Sequence, residues 1–313
     1  MRVILASPRG FCAGVNMAIE SLESAIARFG VPIYVYHEIV HNRWVVDHFR
    51  QRGVVFVDEL AEVPEGSHLL YSAHGVAPQI RGQAAARGLK TIDATCPLVT
   101  KVHREAVRFA AQGYTVVLVG HEGHDEVIGT MGEAPGSMVL VGSKEEVDRL
   151  EVPDPERVAY LTQTTWSVDD AAQIVGRLRQ RFPRLVGPPR DDVCYATQNR
   201  QEVVRELSRQ ADVVLVVGSQ NSSNSQRLAE LARAGGMEAH LIDGPDDIDP
   251  GWFSGRETVV ITAGASAPER LVAGCVRLLE ERFQAKVECA MVRAEEVRFL
   301  LPRELREAKS HDR

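Results

Sequence analysis

No two cysteines in this chain stand in the CxxC spacing, which excludes a zinc ribbon and a ferredoxin-type cluster run. No GxGxxG follows a strand-like segment, so the fingerprint of a nicotinamide or flavin dinucleotide is missing. There is no long lysine or arginine cluster, and the net charge is −7, which argues against nucleic acid as a partner. No apolar run approaches the roughly 18 residues of a membrane span. The few apolar residues before Pro8 are too short for a secretory core, so the expected compartment is cytoplasmic.

What remains is an ordinary globular composition: 313 residues, 44% hydrophobic and 25% charged, with five cysteines. Five cysteines in a cytosolic chain make no disulfide framework; metal binding, catalysis or packing are left. Without CxxC pairs, a metal site has to be assembled from distant segments.

The chain reads as strand, polar loop and helix, repeated. Val3-Ile4-Leu5 leads through Ser7-Pro8-Arg9-Gly10 to Cys12. Val15, Ile19, Leu22, Ile26 and Phe29 then recur at helical spacing until Gly30. Thr91 to Thr95 leads to Cys96, with Pro97 fitting the first position of the next helix. Asp192-Val193 leads to Cys194 before a third helix. Each cysteine therefore falls at a helix N-terminus, where free N–H groups and the dipole favour a thiolate. Two cysteine-free units follow each of these, giving nine units in three sets and an expected internal repeat of about 100 residues. The expected fold is α/β: three small parallel-sheet domains, 1–95, 96–193 and 194–313, around a pseudo-threefold axis that brings Cys12, Cys96 and Cys194 together. Cys275 and Cys289 lie away from such junctions and read as packing residues. The charged end, Lys309 to Arg313, is expected to fray.

Three thiolates without a fourth suggest a metal with an open position, either zinc or a four-iron cluster. His41, His74 and His124 occupy comparable junctions, as do Ser222-Ser223-Asn224 and Ser266. Imidazole, hydroxyl and amide groups at helix N-termini make an anion site without lysine or arginine, which points to a phosphate or diphosphate. Glu122, Asp125 and Glu126 flank His124, and spacing does not choose a proton donor among them. Thr164 and Thr165 fit either a hydroxyl relay or a helix cap.

Several stretches resemble the 4-hydroxy-3-methylbut-2-enyl diphosphate reductase family. They include Arg9 to Val15, His37 to Asn42, Ser72 to Gly75, Asp93 to Pro97 and Gly120 to His124. Gln163 to Thr165, Cys194 to Thr197, Ser219 to Ser225 and Thr262 to Pro268 continue the match in order. The resemblance implies reductive dehydroxylation of an allylic alcohol diphosphate to isopentenyl and dimethylallyl diphosphates, the last step of the non-mevalonate isoprenoid pathway. It implies one [4Fe-4S] cluster on Cys12, Cys96 and Cys194 with one open iron, and a ferredoxin or flavodoxin electron donor. It places His41, His74, His124, Ser222, Ser223, Asn224 and Ser266 around the diphosphate, makes Glu126 the proton source and sets Thr164 beside the substrate hydroxyl. Thr165 and Thr197 become neighbours of the site. One departure is Asp125, where the family pattern leads one to expect proline. Outside that family, an iron–sulfur sensor and a zinc lyase or hydrolase acting on a phosphorylated substrate are the competing readings.

Overall fold

The computed structural model describes residues 1–306, so the expected fraying at residues 309–313 lies outside the described residues. The described chain is α/β with three sheets, every strand pair parallel. The first unit contributes β1 (Arg2–Ser7), α1 (Ala13–Phe29), β2 (Ile33–Tyr36), α2 (Arg43–Gln51), β3 (Val54–Val57), β4 (His68–Tyr71), α3 (Pro78–Ala86) and β5 (Lys90–Asp93). The second holds α4 (Pro97–Ala111), β6 (Thr115–Val119), α5 (Asp125–Glu133), β7 (Met138–Val141), α6 (Lys144–Arg149), β8 (Val158–Thr162) and α7 (Val168–Arg181). The third holds α8 (Tyr195–Leu207), β9 (Val213–Val217), α9 (Ser223–Ala234), β10 (Glu238–Ile242), β11 (Thr258–Ala263), α10 (Glu269–Phe283) and β12 (Lys286–Met291).

The sheets run β3-β2-β4-β5, β7-β6-β8 and β10-β9-β11-β1-β12. The last order departs from the expected division of the chain. β1 does not join the sheet of residues 33–93; it lies between β11 and β12, far along the sequence. Val3, Ile4, Leu5 and Ala6 are all buried, as befits a strand covered on both faces. An apolar run announces such a strand but not its partners. α1 then leaves that sheet and packs Val15, Ala18 and Leu22 against Ile33 and Val35 of β2. Strand and helix of the first unit thus bridge two layers.

A second correction concerns Asp192-Val193, which forms no strand; the chain reaches Cys194 as a turn. In its place the nearby Val186 makes one isolated bridge to Ala159. β3, β7 and β10, which the repeat reading does not count, are all edge strands. The site residues follow other strands: β1, β2, β4, β5, β6, β8, β9 and β11 each lead at their carboxyl ends into a loop that carries one. That is where parallel α/β sheets present ligand-binding groups. Among the described residues no helix is long and apolar enough to cross a membrane.

Candidate active site

Cys12, Cys96 and Cys194 are the N-cap residues of α1, α4 and α8. Cys12 Sγ accepts the Val15 N–H at 3.5 Å, and Cys194 Sγ accepts the Thr197 N–H at 3.4 Å. Pro97 at the start of α4 stands where a helix has no use for its own N–H. Each cysteine backbone N–H reaches across to a neighbouring site loop: Cys12 to Ala265 O, Cys96 to Ala73 O and Cys194 to Thr164 O, at 3.2, 3.0 and 2.9 Å. Those bonds fix the three thiols around one cavity of about 90 Å³.

The thiols meet closely. A Cβ added to Gly14 would stand 2.6 Å from Cys96 Sγ and 3.8 Å from Cys12 Sγ, so glycine leaves the room that sulfur takes. The helix-end argument alone favours thiolates; the fold reverses it. Burial first, and then repulsion from Cys12, push the Cys194 thiol up to about 11 and the Cys96 thiol higher still. Three soft donors set beside one another, two of them resisting ionisation, are suited to a multiply charged metal centre, which supplies the missing positive charge.

The rest of the cavity matches the anion reading. His41, His74, His124, Ser222, Ser223, Asn224, Ser266, Glu126, Thr164, Thr165 and Thr197 all line it with the three cysteines, and no lysine or arginine does so among the described residues. His124 caps α5 and Ser222 caps α9, so two more helix N-termini aim at the same space. His41 and His74 stack with ring centroids 4.0 Å apart, and His124 stands edge-on to both. His124 Nδ1 accepts the Glu126 N–H at 3.1 Å, which leaves the neutral ring a donor at Nε2. Burial lowers His124 to about 4 and takes His74 well below the usual imidazole range. Ser222 Oγ, 3.3 Å from Ser266 Oγ, also accepts from the Ser225 hydroxyl at 3.0 Å, and Ser266 donates to His41 O at 2.9 Å. The Asn224 amide is buried with both its nitrogen and its oxygen unpartnered by protein. A buried amide facing a cavity without partners calls for a polar ligand there.

The three carboxylates beside His124 separate cleanly. Glu122 is exposed, Asp125 turns to His37, and Glu126 alone faces the cavity, 2% exposed. Its two oxygens accept the Thr164 N–H at 2.6 Å and the Thr164 hydroxyl at 2.8 Å. Burial outweighs those bonds and, with Asp192 nearby, raises Glu126 from 4.5 to about 7. A mostly apolar wall completes the cavity: Val15, Val40, Ala73, Leu98, Val99 and Phe299. Phe299 comes from the irregular segment after β12, and sequence motifs gave no sign of it. Cys275 is buried on α10 and Cys289 lies on the edge strand β12; neither lines the cavity.

The LytB protein family model matches residues 3–280. The chain is 60% identical over 306 residues to the 4-hydroxy-3-methylbut-2-enyl diphosphate reductase of Rhodopirellula baltica, covering 98% of this chain and 96% of that one. It is 54% identical over 309 residues to the reductase of the same name from Mycolicibacterium vanbaalenii, covering 98% and 92%. Among solved structures, the E-1-hydroxy-2-methyl-but-2-enyl-4-diphosphate reductase of Plasmodium falciparum matches with a TM-score of 0.95 at 38% identity, over 97% of this chain and 96% of that one. A second, the (E)-4-hydroxy-3-methyl-but-2-enyl diphosphate reductase described as the terminal enzyme of the non-mevalonate pathway, matches at 0.65 and 31% identity, over 90% and 100%.

Proposed function

The chain belongs to the LytB family of 4-hydroxy-3-methylbut-2-enyl diphosphate reductases, and from that premise we propose how its own residues carry out the reaction. The reaction removes the allylic hydroxyl of (E)-4-hydroxy-3-methylbut-2-enyl diphosphate. Two electrons and two protons enter, water leaves, and isopentenyl or dimethylallyl diphosphate is formed.

Family members are iron–sulfur enzymes, and Cys12, Cys96 and Cys194 are the residues that would hold the cluster here. The family resemblance makes this a [4Fe-4S] cluster, and three cysteines suit one with a single iron free of protein ligands. When bound, such a cluster supplies electrons singly and a Lewis-acidic iron beside the leaving hydroxyl. His41, His74 and His124, with Ser222, Ser223, Asn224 and Ser266, take the diphosphate at the opposite side of the substrate. The neutral His124 donates from Nε2, the Ser222 and Ser223 hydroxyls and the Asn224 amide donate beside it, and the ends of α5 and α9 add their dipoles.

Glu126 is the proton source. A carboxyl poised near neutrality keeps a substantial protonated fraction, and the Thr164 hydroxyl bonded to it links it to the substrate alcohol. Hydroxide is a poor leaving group, so a proton delivered as the C–O bond breaks is where this pair contributes. The apolar wall excludes water from the reacting carbon. With no dinucleotide fingerprint in the chain, the electrons come from a separate protein donor, which the family resemblance makes ferredoxin or flavodoxin.

The observation that carries this reading is the convergence of three cysteines, an orphaned Asn224 amide and a neutral-range Glu126 on one cavity. Anaerobic purification and single-turnover assay with a reduced one-electron donor test it. A brown protein that converts the allylic diphosphate supports it; a colourless, zinc-loaded protein without turnover overturns it.

A further inference from the structure

We propose that Asp125 is a positioning residue for the diphosphate-binding histidines, anchored by His37 and facing the stacked rings of His41 and His74. The inference rests on the assignment of the diphosphate to the histidine cluster.

Asp125 is the first residue of α5, between His124 and Glu126. Its Oδ1 accepts from His37 Nδ1 at 2.7 Å. Its Oδ2 lies 3.9 Å from His41 Nε2 and 3.9 Å from His74 Nδ1, so one carboxylate oxygen addresses both members of the stacked pair. His37 ends the segment after β2 with a φ of 58°, a conformation uncommon outside glycine, and belongs to the first unit, whereas α5 belongs to the second. The pair therefore ties the helix that carries His124 and Glu126 to the loops that carry His41 and His74.

A carboxylate beside a diphosphate site looks counterproductive, and the geometry resolves the sign. The groups facing Asp125 are His37 and Tyr36 at the end of β2, His41 with Glu38 at its other nitrogen, His74 after β4, and His124 on its own helix. The hydrogen bond to Asp125 raises the pKa of His37, so that the two form a compact ion pair with little net charge toward a ligand. Burial meanwhile disfavours a proton on His74, and the His41 ring stacked on it disfavours that proton further. Asp125 Oδ2 is the anion placed to orient the two rings and sustain a donor N–H on them. The same three side chains bring ligand atoms within 4.8 Å of one another, as a metal triad would. The two rings, however, stack 15° from parallel, so that their in-plane lone pairs do not converge on one centre, which disfavours a cation.

The test uses cluster-loaded Asp125→Asn and His37→Gln proteins. Calorimetry with inorganic diphosphate between pH 6 and 8.5 is paired with KM and kcat for the allylic diphosphate. Asp125→Asn is expected to weaken diphosphate and raise KM about tenfold, with kcat held within about twofold. Its affinity should begin to fall at lower pH than in wild type, because His37 without the Asp125 carboxylate loses its proton earlier. His37→Gln should act in the same direction, and the double variant should be no weaker than Asp125→Asn. Visible absorbance is expected to be unchanged in all three. Unchanged or tighter diphosphate binding overturns the proposal, as does a loss confined to kcat. Tight zinc binding by wild type that Asp125→Asn abolishes would make the cluster a metal site instead. Failure of wild type itself to bind diphosphate would sink the underlying site assignment rather than the role of Asp125.

Discussion

Replacing Glu126 by glutamine removes one ionisation with little change of shape, and its consequences for stability and turnover follow from the same burial. The side chain is 2% exposed, and its pKa rises from 4.5 to about 7 despite two hydrogen bonds from Thr164. Between those values the folded protein holds a proton that the unfolded chain has released. Stability therefore falls as pH rises through that window, and the loss is complete above the folded value. The shift corresponds to about 3 kcal/mol. Glutamine carries no such penalty: its oxygen accepts the Thr164 N–H and its amide donates to the Thr164 hydroxyl. Glu126→Gln should match wild type in stability near pH 4.5 and exceed it increasingly toward pH 8, by up to about 3 kcal/mol and a few degrees in Tm. Turnover should move oppositely, falling about 10²-fold or more while diphosphate affinity is kept. Wild-type kcat should decline above about pH 7 as the acid ionises, whereas the residual rate of the variant should be flat. Thermal scans of anaerobically prepared protein at both pH values, with steady-state rates on a reduced donor, make the measurement. A stability difference independent of pH, or wild-type rates in the variant, would refute the reasoning.

Cys12→Ser, Cys96→Ser and Cys194→Ser should each lose most of the broad visible absorbance of the anaerobic protein, while Cys275→Ser, distant from the cavity, should keep it. Gly14→Val should bleach the protein with its far-UV circular dichroism intact, because the added Cβ alone would meet Cys96 Sγ at 2.6 Å. Arg200 is fully buried, pairs with Glu295 at 3.0 Å and donates to Gly10 O at 2.7 Å, on the loop before Cys12. Arg200→Met should cost about 3–5 kcal/mol in denaturant unfolding and speed cluster loss in air.

Much of the site was readable from local signals. Pro97 after Cys96, the helical spacing after Cys12 and the apolar runs before each loop are short-range features, and all three cysteines are indeed helix caps. Long-range features were not readable. Nothing near Val3 to Leu5 indicates that its partners lie beyond residue 257, because a buried parallel strand has the same sequence whatever it pairs with. Phe299 and the His37–Asp125 bond belong to that class too. Sequence spacing also leaves Glu122, Asp125 and Glu126 equivalent, whereas Glu122 falls in the exposed turn before α5 and the first turn of α5 points Asp125 and Glu126 to different environments. The desolvation of the Cys96 and Cys194 thiols is not legible for a related reason: a helix end is a local property, and burial by three converging units is not.

The position of β1 has a consequence for how the protein is made. The strand that delivers Cys12 leaves the ribosome about 250 residues ahead of its neighbours, Thr258–Ala263 and Lys286–Met291. At usual synthesis speeds the delay is on the order of tens of seconds. Throughout it, the first thiol has no scaffold to hold it beside the other two. A growing chain that has not reached β11 and β12 thus lacks the sheet that sets Cys12 beside Cys96 and Cys194. The topology that makes the sheet slow to close also acts as a gate on when the cofactor can arrive.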